Sequence, residues 1–224
     1  ISNLSFSQDK VELLNKGNEY FQEGDFKKAE KYYKRSLEAD NQYYKANLNT
    51  GHSLFRQAFS LIQQQDSAGV EKSLESELFY NNSVELTEDK NKKAESLYNL
   101  GNSQLLSQKL EESIESYKKS LRLFPENMNT KHNLALAQYL LNKKQEDQEN
   151  QGDPKEDKKE QEKKEQEENK EKREEENQEN QPKEELSKEE IEQILNALEI
   201  EEKEVQEDLQ EKKVIGGDKL LKDW

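Results

Sequence analysis

The chain has 224 residues, of which 29% are hydrophobic and 38% charged, and a formal net charge of −15. A mean hydropathy of −1.36 is too polar for the whole length to pack into a core. There is no cysteine, which excludes disulfides, thiolate zinc sites and cysteine nucleophiles. The acidic balance argues against nucleic acid as a partner.

The charge is unevenly placed. Residues 1–141 carry 18 Lys and Arg against 20 Asp and Glu, 142–185 carry 11 against 18, and 186–224 carry 6 against 12. The nearly neutral first part is where a core is expected. Only three Pro and eight Gly occur, and alternating Val- and Ile-rich runs are missing, so the expectation is all-α. No apolar run approaches the about 18 residues needed to cross a bilayer.

Residues 1–9 form an N-terminal extension. Ser5-Phe6-Ser7 followed by Gln8 has the small-x-small form of a signal-peptidase site. The segment reads as a leader-peptide remnant or as a boundary inside a cytosolic chain.

From residue 10 a period governs the chain. Gly17 and Gly51 stand 34 residues apart, as do Gly101 and Ala135. The unit at 10–43 places Leu13, Gly17, Tyr20, Gly24, Phe26, Ala29, Tyr33 and Ser36 in a pattern that 94–127 repeats with Leu97, Leu100, Gly101, Leu110, Ser113, Tyr117, Ser120 and Pro125. Small residues let two helices approach, and the tyrosines fill the space around the contact. Gly24 in "QEGDF" provides a turn with positive φ. These units resemble the tetratricopeptide repeat. A second unit starts near Tyr44, with Asn47 and Gly51 in frame and Ser76, Tyr80 and Ser83 at the second-helix positions. It holds about 13 extra residues around Phe59–Leu74, expected to lengthen both helices about a turn at Asp66–Gly69. "NMNTKHNLALAQYLLNKK" supplies one capping helix, with Leu134, Ala135, Ala137 and Tyr139 expected to face the third repeat. The fold expected is a tetratricopeptide α-solenoid over 10–143, of about three helix pairs and a cap.

Residues 144–185 are low-complexity Glu, Lys, Gln and Asn, expected to form a disordered or partly helical linker. In 186–224 order returns. Ser187 and Glu190 have capping-box spacing, and Ile191, Ile194, Leu195 and Leu198 make one apolar stripe. Val205 and Leu209 extend it, and Leu220, Leu221 and Trp224 follow Gly216-Gly217. These nine apolar residues form a candidate docking tail, for the chain's own repeats or for a partner.

His52 and His132 are the only histidines, and phosphate-cradling loops and nucleophile elbows are missing. The acidic runs lie where no scaffold fixes a metal or an acid–base pair. Enzymatic activity, cofactors and metals are therefore not expected. A peptide groove is: Asn18, His52 and Asn102 follow the repeat glycines, and Asn15, Asn49 and Asn99 stand three residues before Asn18, His52 and Asn102 in turn. An Asn amide can both donate to and accept from a peptide backbone. Some tetratricopeptide proteins clamp a C-terminal carboxylate, and Asn18 and Asn49 match the two Asn positions of that clamp. Leu14, Glu95 and Asn99 stand where its cations would be.

Repeats, an acidic linker, the helix "ILNALEIEEKEVQEDLQEKK" and a terminal "KDW", in that order, resemble the BatC-type proteins of the Bacteroidetes aerotolerance (Bat) operon. The resemblance implies a scaffold in a stress-related envelope complex, with membrane-bound Bat proteins bearing von Willebrand A domains as partners. It implies a periplasmic or envelope location, with a cytoplasmic one as the alternative. The other function open at this level is a chaperone-like module that holds unfolded or exported chains.

Overall fold

The computed structural model describes residues 2–151 and 186–198. Seven helices run in order: α1 Ser2–Gln22, α2 Phe26–Ala39, α3 Tyr44–Gln63, α4 Ala68–Glu85, α5 Lys90–Leu106, α6 Leu110–Leu123 and α7 Met128–Gln151. An eighth, α8, covers 188–198. No strand occurs among the described residues. The outer bounds differ from expectation: α1 takes in residues 2–9, and α7 continues past 143 into the linker.

Consecutive helices pack as pairs, α1 on α2, α3 on α4 and α5 on α6, with α7 closing the row. The first helices of the pairs also touch along the row, α1 to α3, α3 to α5 and α5 to α7. They therefore line the inner side of the solenoid. Side-chain caps start several helices: Asp25 accepts from the Lys28 amide at 3.1 Å, Asp89 accepts from Asn91 and Lys92 at 2.9 and 3.1 Å, and Asn127 accepts from the Thr130 amide at 2.9 Å. Each satisfies amide donors that the first turn leaves without partners.

The turn inside each pair is the same object three times. Gly24, Gln65 and Gln108 all have positive φ, at 77°, 59° and 63°. The next amide reaches back to the last helical turn each time: Asp25 to Tyr20 at 2.9 Å, Asp66 to Leu61 at 2.9 Å and Lys109 to Gln104 at 2.8 Å. This is the Schellman stop. Only the first has the residue that favours it, and glutamine accepts the left-handed conformation in the other two.

The pairs are locked by glycine against tyrosine. A Cβ on Gly51 or Gly101 would stand 2.8 or 2.5 Å from the ring of Tyr80 or Tyr117, and one on Gly17 would also collide with Tyr33. All three rings are at most 1% exposed. Helix serines add a polar fastening: Ser36 donates to the Lys10 carbonyl at 2.6 Å and Ser120 to the Ala94 carbonyl at 2.7 Å.

The stretched repeat lengthens both of its helices. Seven residues separate Gly17 from Gly24 and Gly101 from Gln108, but fourteen separate Gly51 from Gln65. Seven extra residues are about two helical turns, so α3 regains its facing pattern after the insert. The turn sits at residues 64–67 rather than at Asp66–Gly69, because Gly69 already lies inside α4. There it permits close approach: a Cβ would meet Ile62 at 2.5 Å.

In α7, Ala137 and Leu140 are fully buried and Leu134 is half-buried against the same cluster. Ala135 and Tyr139 do not face the third repeat as expected; Ala135 is exposed and Tyr139 is 54% exposed. Residue 135 stands where the earlier first helices turn a glycine toward their own second helix. Here that position is exposed.

Candidate functional site

The polar residues predicted to line the groove are brought onto the inner helices, and most are engaged within the chain. Asn18 Oδ1 accepts from Tyr33 Oη at 2.8 Å and from Asn49 Nδ2 at 2.9 Å. One full repeat set later, Asn102 Oδ1 accepts from Tyr117 Oη at 2.7 Å and from Asn133 Nδ2 at 3.0 Å. Each Asn thus joins the tyrosine of its own pair to an Asn on the first helix of the next. In the stretched repeat His52 takes the Asn position, and its Nδ1 lies 2.9 Å from Tyr80 Oη. Asn99 makes no such bridge; its amide donates to the Glu95 carbonyl of its own helix at 3.0 Å. Asn15 is exposed.

Burial sets the titration of this row. It pushes the Tyr33 and Tyr80 hydroxyls up from the ordinary tyrosine range and the His52 imidazole down to about 4. His52 is therefore neutral at physiological pH, with Tyr80 as its hydrogen-bond partner. Sequence reasoning passed over Asn133 and the tyrosine hydroxyls. The signal was present: 15, 49, 99 and 133 hold Asn at one repeat position in all four first helices.

Beyond this row lies an apolar surface, and α8 is seated on it. One continuous cluster joins Ala58 and Phe59 of α3, Leu105 and Leu106 of α5, Leu110, Ile114 and Tyr117 of α6, and Ala137 and Leu140 of α7 to Leu186, Ile194 and Leu198. Phe55, Ile62, Tyr98, Leu136, Ile191 and Leu195 pack at its margin. Leu186, Ile194, Ala197 and Leu198 are between 2% and 8% exposed. The predicted stripe of Ile191, Ile194, Leu195 and Leu198 thus meets the chain's own repeats. Val205, Leu209, Leu220, Leu221 and Trp224 lie outside the described residues.

Local chemistry preforms α8. The Ser187 amide donates to Glu190 Oε2 at 2.8 Å, and the Glu190 amide donates to Ser187 Oγ at 3.3 Å, a reciprocal capping box. Leu186 and Ile191 hold the N′ and N4 positions of a hydrophobic staple. Two polar contacts then tie the start of α8 to the solenoid. Gln108 Oε1, on the left-handed turn after α5, accepts from the Leu186 amide at 2.9 Å. Lys143 Nζ of α7 pairs with Glu190 Oε1 at 3.0 Å. Burial alone would raise the Glu190 carboxyl, but the Ser187 amide and the Lys143 ammonium outweigh it and hold it below the usual range.

The insert in the second repeat reaches the same apolar cluster. Phe59 and Ile62 belong to the last turns of α3, which a regular repeat would lack. Behind them Glu77, 7% exposed, accepts from Ser107 Oγ at 2.6 Å and pairs with Lys109 at 2.9 Å, holding α4 against the α5–α6 turn that carries Gln108.

Residues 11–43 and 94–127 match the family model of the tetratricopeptide repeat. No curated protein matches. Among solved structures, the first TPR of Spaghetti (RPAP3) bound to the HSP90 peptide SRMEEVD is 26% identical, with a TM-score of 0.51, over 61% of this chain and 95% of that one. The first TPR domain of human RPAP3, solved by NMR, is 24% identical with a TM-score of 0.51, over 62% and 96%. The chain carries tetratricopeptide repeats in an all-helical solenoid.

Proposed function

We propose that this chain is a non-enzymatic protein–protein interaction scaffold that binds protein segments on its helical repeats. The observation that carries this reading is α8 itself: a protein helix seated on the apolar surface of α3, α5, α6 and α7. The peptide named with the Spaghetti (RPAP3) repeat domain supports a polypeptide as the class of ligand. The mode differs. Leu14 is 2% exposed, and Asn18 and Asn49 bond to each other, so no carboxylate clamp is assembled at those positions. Apolar burial, not charge pairing, drives binding here.

The finer reading is a scaffold of a Bat-type envelope complex, with von Willebrand A domain proteins as partners and a periplasmic location. What supports it is the order of repeats, acidic linker and "KDW" end along the sequence. The test is affinity capture by the full chain from the cells that make it, followed by reconstitution of each captured protein with the purified chain. Absence of any partner that reconstitutes sinks the scaffold reading. Reconstitution with proteins lacking a von Willebrand A domain, or recovery of the chain in the cytosolic fraction, sinks the finer one.

A further inference from the structure

The seat under α8 is described by what fills it, and this specifies a ligand class. We propose that α8 is a resident competitor: the groove takes an amphipathic helix of a partner protein built like α8, and the partner binds by displacing it. The inference rests on the scaffold reading and deepens it.

The seat is selective in three ways. Its apolar floor accepts side chains at i, i+3, i+4 and i+7, the positions of Ile191, Ile194, Leu195 and Leu198. Its polar contacts lie at one end only. Gln108 takes the amide just before the helix, and Lys143 takes the acidic side chain at the third helical position. A ligand helix therefore enters with its N-terminus at the α5–α6 turn and needs Glu or Asp there. The apolar cluster that α8 joins also draws on the stretched repeat, since Phe59 and Ile62 come from the two turns by which α3 exceeds a regular repeat.

The seat is suited to exchange. One apolar stripe and two polar contacts at one end hold α8 to the repeats, and each undocking frees the whole surface. Covalent attachment gives α8 an effective concentration on the order of millimolar. A free copy of the same helix is thus a poor competitor, and a partner must bind more tightly or present more contacts.

The test uses a fluorescein-labelled peptide of residues 186–198 and fluorescence polarisation. The full chain and a full chain carrying Ile194→Glu and Leu198→Glu are titrated in parallel. The undocked variant is expected to bind at least about tenfold more tightly than the wild type, the ratio for a groove free in under a tenth of molecules. A second variant, Lys143→Glu in the undocked background, is expected to lose affinity for this peptide and regain it for the Glu190→Lys peptide. Equal binding by wild type and undocked variant overturns the proposal, as does no binding by an undocked variant whose helix content and urea midpoint match wild type. Should the variant not fold, hydrogen exchange on the wild type decides. Peptide in excess of that effective concentration must lower protection of 188–198, and unchanged protection then overturns the proposal. A wild-type dimer that dissolves in the Ile194→Glu, Leu198→Glu chain overturns it in favour of tail exchange between copies. Capture of the reconstituting partner at equal strength by both chains, without peptide binding, removes the proposal and leaves the scaffold standing.

Discussion

Asn102 separates a structural hub from a ligand contact, and Asn102→Ala tests which it is. Its Oδ1 is the acceptor for two donors at once, Tyr117 Oη at 2.7 Å and Asn133 Nδ2 at 3.0 Å. The residue is 5% exposed, and Tyr117 and Asn133 are fully buried. Truncation removes the acceptor that these two buried donors share. Losing a buried hydrogen-bond partner costs about 1–3 kcal/mol, and partial relaxation or an entering water recovers part of it. The expected loss is therefore about 2–4 kcal/mol. Tyr117→Phe removes only one donor and leaves Asn102 with the other, so about 1 kcal/mol is expected. Asn99→Ala removes a bond to the Glu95 carbonyl of its own helix and is expected to change stability by less than about 0.5 kcal/mol. Urea unfolding followed by circular dichroism at 222 nm reads all three. A loss below about 0.5 kcal/mol for Asn102→Ala, with Tyr117→Phe also neutral, would refute the bridging geometry and return Asn102 to the ligand.

Gly101→Ala places a methyl against Tyr117 at 2.5 Å; overpacking of about 1–3 kcal/mol exceeds the helix-propensity gain of about 1, so the melting temperature falls, whereas a rise would contradict the packing. Gln65→Gly relieves a non-glycine residue at φ 59° and is expected to stabilise by about 0.5–1 kcal/mol, read as a higher urea midpoint at unchanged slope. For His52, the folded value of about 4 lies below the ordinary 6.5, so the unfolded chain takes up the proton first. Stability from the neutral ring is complete above about pH 6.5 and is lost as pH falls toward 4. A fully dry ring would lose about 3 kcal/mol over that interval, and partial exposure brings this to about 1–2. His52→Gln, which keeps a partner for Tyr80, should flatten that part of the pH profile, and an unchanged slope in the variant would exclude His52 as its source. Ile194→Ala should raise amide exchange across 188–198 at least about tenfold while leaving α5 and α6 protected; loss of protection throughout would mean that α8 is part of the fold rather than a lodger.

The repeats, their glycine–tyrosine pairing and the amphipathic stripe at 191–198 were legible because each depends on local spacing. A 34-residue period and a 3.6-residue stripe are properties of the chain taken alone. The capping box was legible for the same reason, since Ser187 and Glu190 satisfy each other's amides without outside help. Lengthening of the stretched repeat was legible too, but its turn was misplaced. Asp66 and Gly69 look like turn residues, while the turn uses Gln65 and spends Gly69 on contact with Ile62. The candidate groove was read as a set of Asn positions, of which Asn18, Asn49 and Asn102 are bonded within the chain. Whether an amide faces solvent, the tyrosine of the next helix or an Asn of the next repeat depends on how the helices stack, which no residue encodes by itself.

The amino-acid sequence by itself determined that this is an all-helical repeat chain with a separate apolar helix after an acidic segment, because propensity, capping and periodicity act over a few turns. Only the tertiary structure decided that this helix lies on its own repeats. That outcome depends on Phe59, Leu105, Leu136 and Leu140, from three helices, forming one surface with Gln108 and Lys143 at the correct end. Their adjacency arises from helix packing across residues far apart in the chain, and so it appears only when the solenoid is assembled.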